Sequence, residues 1–443
     1  MSKLSSTIAF FVWLLFCLIV RVWNKVLSWK YASQLASSKV KVQQVLVKYN
    51  LDALILDNSI SYFLLGPPKF QDIDIINKQN VCLYYVNDDE AFFVETPPEL
   101  QIWKSSVSPF YKITQNSQAC NIIRMPLHRF LEFTDTLTDP GDRLSFIIAH
   151  GRSGSTILLQ VMEKTREVIS YSEPEDLEQP FHDFKAKLDP QQKVRIARAN
   201  AKYACRCSLD GNMNETRFVM KVMWIKIADS FGHFELFRKA FPSANLLLLY
   251  RDRLQTLSSS LATFQHMPLM ETCSALIGET TYMRKKMIVM RNGGILDTMY
   301  EAHPELQDLI MRTDDPLAVL FYSISAAVWG RFRCGNFKKD LPAVKYEDLM
   351  NNKVGNLAIV FKHLRLPLSS LSAGMGAFTT DSHQNTWFSK RKVSSKYTSL
   401  LSPNSGSRSL VKSLNEVNAI FGLPPLGNGL RISNTISTPV RLS

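Results

Sequence analysis

The chain has 443 residues, 46% hydrophobic and 21% charged, with no collagen-like or disordered bias, so one large folded domain with additions, or two domains, is expected. A formal charge of +13 points to an anionic partner, while the lack of zinc-finger spacing, RNA-binding sheet motifs and long basic helices argues against nucleic acid. The seven cysteines form no CxxC pair, which disfavours zinc; the six outside the N-terminal apolar run permit disulfides or act as buried free thiols.

Leu4 to Val20, "LSSTIAFFVWLLFCLIV", carries no charge and is followed by Arg21, Lys25 and Lys30. Its length is at the lower end for a spanning helix, and no small-x-small cleavage site follows it. Residues 1–30 are therefore expected to be an uncleaved transmembrane anchor with its flanks. The basic residues after the run would, by the positive-inside rule alone, keep the body cytosolic.

Residues 31–142 are expected to form a small α/β extension. "YASQLASSKVKVQQVLVKYN" has helical spacing, with Leu35, Val42, Val45, Leu46 and Tyr49 on one stripe. "LDALILD", "SYFLLG", "VCLYYV" and "AFFVET" read as strands between turns. "TDPGD" at 138–142 marks a boundary.

From Arg143 strands and helices alternate, which predicts a parallel sheet flanked by helices over residues 143–424. "LSFIIAH", "EVISYS", "RFVMKVMW", "ANLLLLYR" and the end of "PAVKYEDL" are strands. "STILLQVMEKT" is a helix expected to face the sheet through Ile157, Leu158, Val161 and Met162. "HFELFRKAF", "LAVLFYSISAAVWGRFR" and "SLVKSLNEVNAIFG" complete the helices, the last with Leu410, Leu414, Val417 and Phe421 on one face. Residues 425–443, rich in Gly, Asn, Ser and Thr, read as a flexible tail.

The first strand leads into Gly151-Arg152-Ser153-Gly154-Ser155-Thr156 and a helix. Gly151 and Gly154 permit sharp turns, the helix start offers unpaired amides, the hydroxyls add donors, and Arg152 adds a cation with a donor fork. This is a cradle for a phosphate-like group. It lacks the Lys of GxxxxGK[ST], which disfavours a nucleoside triphosphate with magnesium.

"GRSGST" between strand and helix resembles the 5′-phosphosulfate loop of sulfotransferases that use 3′-phosphoadenylyl sulfate (PAPS), nearest to the membrane-anchored Golgi carbohydrate branch. In that family a buried strand ends in Arg with a Ser eight positions on, together holding the 3′-phosphate; "NLLLLYRDRLQTLSSSL" supplies Arg251 and Ser259. "VKYEDLM" resembles the family's "RYEDL" segment. "YSEPEDL" resembles its "EP" segment, which makes Glu173 the candidate general base. "DSHQNTWFSKRK" lies where relatives close a loop over the nucleotide, so Trp387, Ser389 and Arg391 are candidate contacts. The catalytic His of cytosolic members is missing, with Met223 or Trp224 in its place, and His150 is an alternative base.

The resemblance implies a sulfotransferase-type three-layer α/β fold, with PAPS as donor and no metal. Arg152 and Glu173 would be catalytic; Gly151 to Thr156, Arg251, Ser259, Trp387 and Arg391 would bind the donor. The acceptor would be a hydroxyl, most readily on a glycan. A single-pass type II Golgi protein with a luminal body is implied, against the flanking charges; the sequon at Asn214 is compatible with it. The alternatives are a P-loop nucleotide kinase or NTPase, and a non-catalytic membrane-anchored relative that binds nucleotide or glycan. The sequence leaves the oligomeric state open.

Overall fold

The computed structural model describes residues 3–30, 39–48, 60–149, 151–182, 188–206, 216–223, 233–264, 295–334, 341–379, 408–426, 431–432 and 434–439. Helix α1 (Lys3–Lys30) is followed by strands β1 (Lys39–Lys48), β2 (Phe63–Asp72), β3 (Val81–Val86) and β4 (Glu90–Glu95). Then come α2 (Tyr111–Gln118), β5 (Asn121–Pro126), α3 (Leu127–Asp135), β6 (Leu144–Ala149), α4 (Ser155–Glu163) and β7 (Val168–Ser172). The chain continues through α5 (Glu175–His182), α6 (Pro190–Ala204), β8 (Arg217–Met223), α7 (His233–Ala240), β9 (Asn245–Tyr250) and α8 (Arg253–Phe264). The last elements are α9 (Ile295–Ala302), α10 (Glu305–Arg312), α11 (Pro316–Cys334), β10 (Ala343–Lys345), α12 (Tyr346–Asn351), α13 (Lys353–His363), α14 (Leu371–Met375) and α15 (Arg408–Ile420).

The predicted parallel sheet is present, in the order β10-β9-β6-β8-β7 with every pairing parallel. Its strands are continuous apolar runs because helices cover both faces. Alternate residues serve opposite cores. Ile147 and Ala149 of β6 pack with Leu158, Leu159, Val161 and Met162 of α4 and with α13. Phe146 and Ile148 pack with Phe181 of α5, Ala197 of α6 and Phe237 of α7. The result is a three-layer α/β arrangement. On α4, Leu159 is buried and Ile157 is half-buried, so the buried face is rotated slightly from the expected one.

Residues 39–126 build a second, antiparallel sheet in the order β2-β1-β5-β4-β3. β1 corrects the helix expected over residues 31–50. Its valines have the two-residue alternation Val40/Val42, and pairing on both sides with β2 and β5 makes it an interior strand of the sheet. The sheet shares a core with the parallel one, through Phe63, Leu65, Tyr84, Val94 and Ile122. Its other face closes over Ile196, Ala199 and Tyr203 of α6. "LDALILD" lies outside the described residues.

The membrane-spanning anchor needs correction: among the described residues no helix is long and apolar enough to cross a membrane. Ser5, Ser6 and Thr7 open the uncharged run, so its strongly apolar part is Ile8 to Val20, about 20 Å of helix against a hydrocarbon core of about 30 Å. The following half of α1 docks on protein, with Val20 and Leu27 buried and Trp23 Nε1 donating to the Leu65 carbonyl at 2.7 Å. The tail also differs from expectation. Residues 431–439 dock beside β10: Ile436 N–H donates to the Ala343 carbonyl at 2.8 Å, and Arg431 pairs with Asp348 at 2.8 Å. Backbone pairing and a buried Ser437 outweigh the polar composition that had read as a loose end. Cys82 and Cys205 are buried, and Cys82 and Cys120 are free thiols.

Candidate active site

The Gly151–Thr156 loop leaves the C-terminal end of β6, the middle strand of the parallel sheet, which is where ligands bind in open α/β folds. Arg152 has φ 67° and Gly154 φ 86°, so the chain makes two left-handed turns before α4 begins at Ser155. Among the described residues no side chain caps α4, and the first amides of a helix are suited to bind an anion. Ser153, Ser155 and Thr156 are buried, and Ser153 Oγ has no hydrogen-bond partner among the described residues. An orphaned buried hydroxyl costs about 1–3 kcal/mol unless a ligand or water satisfies it. Uncapped amides, spare hydroxyl and adjacent arginine together fit a phosphate-type group.

The tertiary structure brings Arg152, Arg251 and Ser259 together. β9 lies beside β6, so Arg251 emerges next to the loop, and Ser259 returns toward it on α8. Arg152 Nε donates to Ser259 Oγ at 2.9 Å, and Arg251 Nη1 donates to the Arg152 carbonyl at 3.2 Å. Gln255 Oε1 accepts from Arg251 Nε and Nη2 at 3.3 and 3.2 Å.

The "YED" segment buttresses this cluster. The Arg251 guanidinium lies 4.8 Å from the centre of the Tyr346 ring, and that ring occupies the space a Cβ at Gly154 would need, 2.3 Å from its Cε2. Residue 154 therefore has to be glycine for two reasons, its left-handed backbone and the ring against it. Glu347 accepts the Asp252 N–H at 3.0 Å, fixing the corner after Arg251.

Glu173 directly follows β7, an edge strand separated from β6 by β8, roughly 10 Å from the loop by strand spacing. It is one of four non-glycine residues with positive φ among the described residues, at 59°. Its amide donates to the Lys221 carbonyl at 3.0 Å, and its carboxylate pairs with the Lys221 ammonium. Lys221 had not stood out in the sequence. The available signal was a lysine amid apolar residues in "RFVMKVM"; its side chain is only 6% exposed, and a buried cation needs a partner. Trp387, Ser389, Arg391, His150 and Trp224 lie outside the described residues, as does Asn214.

Fold and site together define an α/β protein with a glycine- and serine-containing cradle at the C-terminal edge of a parallel sheet, flanked by two arginines and a lysine–glutamate pair. No family model matches the chain, and no curated protein matches it. Among solved structures it is similar to the crystal structure of sulfotransferase STF9 from Mycobacterium avium, at 12% identity over 74% of this chain and 91% of that one, with a TM-score of 0.31. That overlay is too loose to bear on function.

Proposed function

We propose that this protein is a sulfotransferase of the three-layer type, moving a sulfuryl group from PAPS to an acceptor hydroxyl on a glycan. The observation that carries the reading is the contact network Arg152–Ser259 and Arg251–Arg152, which joins positions 107 and 99 residues apart at the mouth of the cradle. A donor phosphorylated at both the 3′ and 5′ positions of its ribose gives a reason for two arginines and a serine around one loop. A single-phosphate ligand does not.

PAPS would supply the sulfuryl group and depart as adenosine 3′,5′-bisphosphate (PAP). The α4 amides and Arg152 would stabilise the negative charge that grows on the leaving phosphate, by dipoles and a cation already in place. Arg251 and Ser259 would hold the 3′-phosphate. Glu173 would take the acceptor proton, and Lys221 orients its carboxylate through the ion pair.

The missing Lys in the loop disfavours the nucleotide kinase or NTPase alternative. We place the protein at the Golgi membrane with its body luminal. The support for membrane contact is the exposed apolar surface of α1, including Phe11, Leu15, Leu18 and Val22.

The test is incubation of the purified chain with radiolabelled PAPS and a panel of glycans, with PAP and ATP affinities measured alongside. Transfer to a glycan and preference for PAP over ATP are expected, with Arg152→Ala lowering turnover about 10²–10³-fold. PAP binding without transfer would favour the non-catalytic alternative, and ATP preference the kinase.

A further inference from the structure

Glu173 holds a left-handed backbone that is costly for a non-glycine residue and persists only where the surroundings over-determine it. One constraint is Lys221, already described. The others come from the antiparallel sheet and the segment joining it to α2, a region without a role in the proposed chemistry.

Three consecutive residues of β7 are held along the outer edge of the parallel sheet. Ser170 Oγ donates to Glu163 Oε2 at 3.3 Å, and the same oxygen accepts Ser105 Oγ at 2.9 Å and the Ser106 amide at 3.1 Å. Tyr171 packs edge-on against Tyr111, with ring centres 5.4 Å apart. Ser172, immediately before Glu173 and 1% exposed, donates from Oγ to the Pro109 carbonyl at 2.6 Å.

Beyond Glu173 the clamp continues on α5. β3 is the edge strand of its sheet, and the buried Gln179 side chain takes the place of a further strand. Its Oε1 accepts the Val86 N–H at 3.1 Å while its Nε2 donates to the Val86 carbonyl. The Asp176 carbonyl is fixed by Asn200 Nδ2 at 2.6 Å. Glu173 thus sits between two attachments to residues 81–110, one on each side along the chain.

We infer that the N-terminal sheet and its 105–111 segment form a positioning device for Glu173, with Ser172 and Gln179 as the positioning residues. The inference rests on the reading of Glu173 as the base for its catalytic consequence, and on the contacts alone for its mechanical one. An acceptor base must lie within hydrogen-bond reach of its proton, and displacement by about 1 Å can cost 10²-fold in rate. Neither residue belongs to the donor-binding cradle.

The test compares the full chain with Ser172→Ala, Ser172→Thr and Gln179→Met, by amide hydrogen exchange, PAP affinity and turnover. Expected for Ser172→Ala and Gln179→Met are at least tenfold faster exchange across residues 172–182, unchanged exchange in 144–163, a PAP Kd within twofold of wild type, and kcat lower by about 10–100-fold. Ser172→Thr, which keeps the hydroxyl, restores both exchange and kcat. Unchanged exchange across 172–182 in both variants would overturn the inference, as would faster exchange with kcat intact. If the wild-type chain transfers no sulfate, the functional reading fails instead, and the exchange result still decides the mechanical claim.

Discussion

The two ends of the proposed site are built differently. The donor end uses the middle of the parallel sheet, where β6 and β9 lie side by side and one loop, one strand end and one helix bring Arg152, Arg251 and Ser259 into contact. The base end uses an edge strand, where Glu173 depends on Lys221 from the neighbouring strand and on supports from another sheet. A site in the middle of a sheet inherits its geometry from strands paired on both sides. One at an edge has to be held from outside.

The sharpest contrast is expected from Glu173→Gln. It keeps the side-chain shape and removes the charge, so kcat should fall by about 10²–10⁴-fold while calorimetric PAP affinity stays unchanged. Equal losses in both would show that the two ends are not separable. Gly154→Ala probes the donor end through backbone and packing alone. The new Cβ meets the Tyr346 ring and the left-handed φ of 86° is strained, so a destabilisation of about 1–3 kcal/mol and weaker PAP binding are expected. An unchanged melting temperature would remove Tyr346 from the account.

The last contrast concerns α5. Burial pushes the Asp176 carboxyl up to about 7, with Lys112 opposing the shift. A raised carboxyl contributes stability that is fully present below the ordinary carboxylate range and is lost as pH rises toward 7. Asp176→Asn should therefore melt above wild type at pH 8, with the gap narrowing as pH falls and closing only below the ordinary carboxylate range, on the order of 1.4 kcal/mol per pK unit at most. A pH-independent gap would place the effect in packing instead.

The strands of the parallel sheet were legible because a strand buried on both faces is an unbroken apolar run, as in Asn245–Tyr250. The loop was legible because glycine, serine and arginine at a strand-to-helix junction have few other uses. β1 was not, since "KVKVQQVLVK" fits a helical stripe as well as an alternating strand, and only its two partners decide. β5 was not, since Asn121, Arg124 and Pro126 break its apolar run, and the docking of residues 431–432 and 434–439 depends on an edge that exists only after folding.

By itself the sequence determined the order of the parallel-sheet elements, the anion-cradle chemistry and the spacing of Arg251 and Ser259, because these follow from local periodicity and residue chemistry. Tertiary structure alone decided that Arg152 touches Ser259, that Lys221 faces Glu173 and that a second sheet clamps both sides of Glu173. Those contacts join residues 48 to 107 positions apart, and no local pattern encodes which distant groups a fold will bring within 3 Å.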